Sequence, residues 1–242
     1  VIRGELLIDD GDPLTKVNLD KSISKIKSRA IFKDVAYKIT DGEKNNLKII
    51  DINVEEQSTG EISAGAGVGT SGGSLAFGIK ENNWLGEGKS LGFDVELNKE
   101  SLAGYLNYSD PNYDFLGNSL FYSFSSSKND KPTQGYENNI IAASVGTAFE
   151  QYKNVRVNLG LNASYDDLKT LTSASESLKK QSGTFNEVAA SYGFTFDKRD
   201  RVFMPTSGSI ISLGQSLPVY ADKPFISNSL KVSTYKSLNE NK

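Results

Sequence analysis

The chain has 242 residues, 37% of them apolar, with a net charge of -3, a pI near 5.2 and a mean hydropathy of -0.40. It contains neither cysteine nor histidine, which excludes disulfides, thiol nucleophiles, thiolate zinc sites and every His-based triad or metal cluster. No basic stripe is present, so nucleic acid is not an expected partner, and no run approaches the roughly 18 unbroken apolar residues of a membrane-spanning helix.

The first sixty residues differ from the rest. A Gly11-Asp12-Pro13 turn precedes a helical pattern in which Leu19, Ile23, Ile26 and Ala30 share one face, with Asn18 as the expected cap. Val35, Tyr37 and Ile39 then alternate with polar residues, Asp41-Gly42 makes a turn, and Ile50, Ile52 and Val54 alternate again. The order helix, strand, turn, strand is that of a small α+β unit, too small to be comfortable alone, with its opening strand expected upstream. Val1-Ile2-Arg3-Gly4-Glu5 has no signal-peptide character, and the chain reads as a fragment open at both ends.

From Thr59 the period changes to two. The chain then carries about ten alternating runs, among them Ile62–Val68, Leu75–Ile79, Leu91–Leu97, Leu120–Phe124, Val155–Ala163 and Val188–Phe196, the weakest being Ala103–Ser109 and Ser229–Leu238. Many approach the ~9–11 residues with which a tilted strand crosses a bilayer. Alternation alone does not separate a soluble sheet protein from a membrane barrel, because both have one apolar face. Three details favour the barrel. Gly, Ser, Asn and Ala crowd the non-apolar face; aromatics (Trp84, Tyr108, Tyr113, Phe115, Tyr152, Tyr165, Phe203) gather near run ends as a girdle would; and connections alternate. Ser126–Asn138 and Asp166–Gly183 are long and polar, whereas Asn82–Gly88, Glu150–Asn154 and Lys198–Gly208 are compact.

Chemical motifs are weak. Gly67-Val68-Gly69-Thr70-Ser71-Gly72 matches a dinucleotide-binding pattern, but residues 74–80 alternate as a strand where that pattern needs a helix, so a glycine-rich hairpin is expected. Asp110-Pro111-Asn112-Tyr113-Asp114 has calcium-loop spacing with Phe115 at the required glycine position, which favours a turn. Asp166-Asp167 and Glu55-Glu56 are sequence neighbours that point apart on a strand and form no acid–base pair. Gly65, Gly67 and Gly69 have two readings: they make room in a barrel lumen, or they soften a strand whose pairing must open.

The ordered set of segments resembles the BamA family. Val1–Leu6, Gly11-Asp12-Pro13 and Ile31–Val35 resemble the last polypeptide-transport-associated (POTRA) domain of that family, and Val54–Gly60 its join to the barrel. Gly65–Thr70 is similar to the first barrel strand, and Asn83-Trp84-Leu85-Gly86-Glu87-Gly88 to a periplasmic turn. Asp110–Tyr113 and Asp197–Gly208 are similar to later family segments. The resemblance implies a mainly β fold: a POTRA-like domain over residues 1–58, and over 59–242 the N-terminal ten or so strands of an antiparallel transmembrane barrel of about sixteen. It implies a location in the bacterial outer membrane with residues 1–58 in the periplasm, and a function in inserting other barrels rather than in catalysis. The seam strand would be Ile62, Ser63, Ala64, Gly65, Ala66, Gly67, Val68 and Gly69. Implied partners are outer-membrane lipid, unfolded outer-membrane proteins as substrates and accessory lipoproteins of an assembly complex, with no nucleotide, metal or other cofactor. The rival readings are a translocator that secretes proteins through the barrel, a passive pore and a soluble β-rich adhesin or enzyme.

Overall fold

A computed structural model describes residues 1–43, 47–69, 72–114, 116–200 and 205–237. A single 3-10 turn at Arg3–Glu5 leads to helix α1, Lys16–Ser28. The helix starts one turn earlier than the sequence pattern suggests. Its cap is Thr15, whose hydroxyl accepts from the Asn18 amide at 3.4 Å, so Asn18 is a first-turn residue rather than the cap. Leu19, Ile23 and Ile26 are buried, but Ala30 lies past the helix end with a left-handed φ of 56° and is exposed. Strands β1 (Phe32–Asp41) and β2 (Lys48–Glu56) pair as an antiparallel hairpin. Leu19, Ile23, Ile26 and Val35 make the core, sealed by Ile2, Leu6, Ile8, Phe32, Ile50, Ile52 and Val54. Ser22 is fully buried on the helix and accepts from the Leu7 amide at 2.9 Å while donating to the Asn18 carbonyl, which staples the leading segment to α1.

The remaining strands form one antiparallel sheet of ten, each paired with its sequence neighbours. They are β3 (Gly60–Gly69), β4 (Gly72–Trp84), β5 (Lys89–Asn98), β6 (Ser101–Asp110), β7 (Ser119–Lys131), β8 (Tyr136–Tyr152), β9 (Val155–Thr170), β10 (Gly183–Asp197), β11 (Ser207–Ala221) and β12 (Ser227–Lys236). The expected count of ten strands is met, and both weak runs are strands, although Leu238 lies outside the described residues. Among the described residues β3 and β12 are the sheet's two edges. No described helix is long and apolar enough to cross a membrane, which does not bear on crossing by strands.

The register explains the period of two. Ile62, Ile79, Phe93, Leu106, Phe124, Ala143, Ala163 and Val188 lie side by side across eight strands in one continuous apolar row. A second row runs Leu91, Tyr108, Tyr122, Val145, Leu161, Ala190 and Leu217. Many of these side chains stay solvent-accessible, Ile62 at 77% and Leu161 at 53%, because no described residue covers that face. A sheet that exposes a contiguous apolar face is out of place in water and matched to lipid. The opposite face is small and polar, and it satisfies itself across strands: Ser123–Ser144 (2.6 Å), Asn162–Ser191 (3.2 Å), Thr195–Ser212 (3.2 Å) and Arg156 donating to Ser119 (2.8 Å). There Phe121 lies across Gly146. A methyl group at Gly146 would sit 2.2 Å from the ring, so this position admits only glycine while the ring keeps its place.

Connection lengths depart from the expected alternation. The segment at 126–138 is mostly strand, leaving only residues 132–135 as its turn, and 166–183 contracts to a loop at 171–182 that carries the short helix α2 (Glu176–Lys179). The sides are as expected, since these two loops share one end of the sheet, while 85–88, 153–154 and the strand ends Asp197 and Ser207 share the other. The lengths are not: 99–100 is tight on the loop side, and 111–118 is long on the turn side. Polar Ser, Lys and Asn residues at 126–131 read as loop, yet cross-strand pairs such as Asn129–Asn138 (3.0 Å) satisfy them inside the ladder.

Candidate functional site

All eight seam candidates, Ile62 to Gly69, fall in β3. This strand pairs along one side only, with β4, from Gly60↔Glu81 to Gly69↔Gly72. Its other side presents a row of backbone N–H and C=O groups with no strand beside it among the described residues. Ile62, Ala64, Ala66 and Val68 continue the apolar face, and Val68 is 93% exposed; Ser63, Gly65, Gly67 and Gly69 lie on the polar face. A methyl at Gly65 or Gly69 would meet nothing within 4 Å, and at Gly67 only the Ser74 hydroxyl at 3.0 Å. Among the described residues, crowding does not require Gly65 or Gly69, and at Gly67 it asks only that the Ser74 hydroxyl give way. What they do is remove side-chain packing and add backbone freedom along an edge.

The two ends of β3 differ. At the far end Gly69 and Gly72 face each other across a hairpin whose Thr70 and Ser71 lie outside the described residues; Gly72 begins β4, so no helix comes after the glycine motif. The near end is bracketed. The Glu81 carboxylate accepts from the Thr59 hydroxyl and from the Asn83 amide (2.7 Å), and Asn82 donates to the Thr59 carbonyl and to Glu61 (3.3 Å). The strand is therefore anchored at its root and, among the described residues, paired along one side only.

The other candidates settle as structural features. Asp110–Asp114 is a turn in which the Asp114 carboxylate accepts from the amides of Leu116 and Asn118 and from the Asn118 side chain. These bonds, the Asn118 amide first, hold its pKa below the usual carboxylate value. Asp166 and Asp167 point apart, with Asp167 3.2 Å from Lys169, and Glu55 pairs with Lys33 at 2.6 Å. Of the proposed aromatic girdle, Trp84, Tyr113 and Tyr152 are exposed at the turn end, and Tyr108 stacks obliquely on Tyr122 at 5.9 Å. Tyr165 sits toward the loop end, and Phe115 and Phe203 lie outside the described residues. Sequence reasoning missed a polar contact joining the first five residues to the sheet turns. It centres on Glu5, a carboxylate that is only 5% exposed.

Residues 83–242 match the Omp85 superfamily domain, about two thirds of the chain. The chain belongs to the Omp85 superfamily. Among curated proteins it is similar to the outer membrane protein assembly factor BamA of Neorickettsia risticii, 26% identical over 98% of this chain and 33% of that protein. It is similar also to BamA of Neisseria meningitidis serogroup B, 23% identical over 92% of this chain and 30% of that protein. The chain thus spans about a third of the length of these relatives. Among solved structures, BamA from Haemophilus ducreyi lacking POTRA domains 1-3 superposes with a TM-score of 0.73 at 23% identity, covering 99% of this chain and 49% of that one. CdiB from Acinetobacter baumannii superposes with a TM-score of 0.59 at 12% identity, covering 94% and 44%. These likenesses establish the fold of this Omp85 chain, and the BamA-family resemblance read from its motifs stands.

Proposed function

We propose that this Omp85 chain is the part of an outer-membrane assembly factor in which new barrels are templated. On this reading residues 1–58 form a periplasmic POTRA-like domain, and residues 59–242 form the N-terminal strands of a barrel in the bacterial outer membrane. The observation that carries the proposal is β3: a glycine-rich edge, with outward apolar residues and, among the described residues, no steric need for Gly65 or Gly69, at the end of a lipid-matched sheet. The curated relatives, both outer membrane protein assembly factors, support the same reading.

The mechanism needs no reacting group. In a bilayer every backbone N–H and C=O must have a partner, so an incoming strand is admitted to lipid only if its hydrogen bonds are already made. An edge that opens readily supplies them. The incoming strand pairs with β3 as an added strand, and the next pairs with it, each backbone group passing from one partner to another. The glycines lower the stability of the pairing that β3 must give up. The root bracket at Thr59, Glu81 and Asn82 keeps the template in place while its free side exchanges partners.

Crosslinking tests this. In the full-length protein, cysteines placed singly along Glu61 to Gly69 are expected to capture a stalled client barrel at alternate positions, as strand pairing demands. No capture, or capture without period, contradicts templating at β3. Capture of a transported soluble protein instead of a barrel favours the secretion reading, and a protein that conducts ions but captures nothing is a passive pore.

A further inference from the structure

Glu5 lies in the 3-10 turn that opens the chain, and its carboxylate is gathered from three directions. The Asn112 side chain donates to it at 2.7 Å, the Arg29 Nε lies 3.4 Å away and the Lys25 ammonium 3.8 Å away. Lys25 is in the last turn of α1 and Arg29 caps that helix, whereas Asn112 belongs to the turn between β6 and β7, 107 residues along the chain from Glu5. Arg29, itself only 12% exposed, also donates through Nη2 to the Gly88 carbonyl in the turn between β4 and β5. One buried carboxylate thus sits where the small N-terminal unit meets two turns of the sheet.

The contact continues beyond those turns. Gly88 is buried with φ +69°, and a side chain there would come within 2.7 Å of the Arg29 guanidinium and 2.9 Å of Val1; only glycine lets the two units approach this closely. The Gly88 amide donates to the Asn83 side chain at 2.7 Å, the Asn83 amide to Glu81 at 2.7 Å, and the Thr59 hydroxyl to the same Glu81 oxygen. Thr59 is the residue before β3. An unbroken series of polar contacts therefore runs from Glu5 through Arg29, Gly88, Asn83 and Glu81 to the root of the edge strand. A buried carboxylate held by cations and a charge-assisted hydrogen bond has one low-energy arrangement, and removing a partner leaves a charge without compensation.

We propose that Glu5 is a positioning residue: it fixes the N-terminal unit against the turns at 85–88 and 111–118 and, through that contact, holds the near end of β3. It deepens the edge-strand reading and rests on it only for the consequence in assembly. When Glu5 is released, the N-terminal unit swings free and the root of β3 exchanges its hydrogen bonds more readily.

The test uses the full-length protein in lipid vesicles, comparing the parent with Glu5→Gln and Asn112→Ala. Asn112 lies outside the small unit, so its variant keeps the test open if Glu5→Gln fails to fold. Spin labels at Lys21→Cys on α1 and Lys153→Cys on the turn between β8 and β9 report the position of the unit. Hydrogen exchange of residues 59–69 reports the strand, with residues 155–165 as an internal control. Both variants are expected to broaden the label distance distribution. Exchange in 59–69 should rise by about tenfold, the change that loss of one charge-assisted hydrogen bond produces, with the control segment unchanged. An unaltered distance distribution overturns the proposal, and so does a broadened one with exchange in 59–69 unaltered. If both readouts change while client insertion proceeds at the parent rate, the positioning role stands and the templating role of β3 fails.

Discussion

Replacing Leu161 by arginine separates a lipid-facing sheet from a soluble one. Leu161 is near the middle of β9, six positions above Val155 at the turn end. At about 3.3 Å per residue and a strand tilt near 40°, it stands roughly 15 Å above that end, close to the midplane of a hydrocarbon layer about 25–30 Å thick. It is 53% exposed, between Val145 and Ala190 on the apolar face. An arginine there is expected to cost about 2–4 kcal/mol in lipid. Asn162 is the adjacent residue on the polar face, where its amide donates to Ser191 at 3.2 Å. Asn162→Arg loses that exposed bond, about 0.5–1.5 kcal/mol, and its charge stays hydrated. The Leu161 variant should therefore be less stable than the Asn162 variant by about 0.5–3.5 kcal/mol. Equilibrium denaturant titration of the full-length protein, folded into vesicles and followed by tryptophan fluorescence, measures the difference. Equal stabilities, or a more severe Asn162→Arg, would refute the assignment of faces.

Three further outcomes are expected. A cysteine at Ser177, in the short helix α2 of the loop at 171–182, should react with a membrane-impermeant thiol reagent on intact cells and one at Glu87 should not; equal labelling would contradict the orientation. A methyl group at Gly65 or Gly69 meets no described atom within 4 Å, so Gly65→Ala and Gly69→Ala should both fold. By stiffening the edge they should slow client insertion, whereas parent-level insertion by both would remove the softening argument. The lowered pKa of Asp114 makes its turn pH-dependent. A carboxylate depressed by folding stabilises the native state above its unfolded value of about 3.9, and that stability is lost as pH falls through the lower folded value. Hydrogen-exchange protection at Leu116 and Asn118, taken relative to the intrinsic rate at each pH, should fall below about pH 4 in the parent but show no such step in Asp114→Ala.

The alternating runs were legible because a barrel strand must present apolar residues to lipid at every second position, whatever its neighbours do. The ladder of β3 to β12 results from that pattern and from hairpin connection. Strand ends were not legible at 126–138, where serine, lysine and asparagine mimic a loop until the register pairs them across strands. The helix start was misplaced because Thr15 and Asn18 are both good caps, and only the backbone, extended at Thr15, distinguishes them. The glycines of β3 were visible, but their freedom from crowding was not, since that depends on which atoms of β4 lie opposite. The Glu5 contact was hidden for a related reason: Arg29, Gly88 and Asn112 are distant in sequence, and no local pattern brings them together.

The central claim is that β3 works by opening. The direct measurement is the rate at which the full-length protein, in vesicles, inserts a client barrel when β3 is joined by a disulfide to the strand that closes the barrel against it. A cysteine at Ala64 or Ala66 places the bond on the outward face, away from the glycines. The account predicts that the oxidised protein stays folded and inserts no client, and that reduction restores insertion to the parent rate. Insertion at the parent rate with the disulfide intact would contradict it.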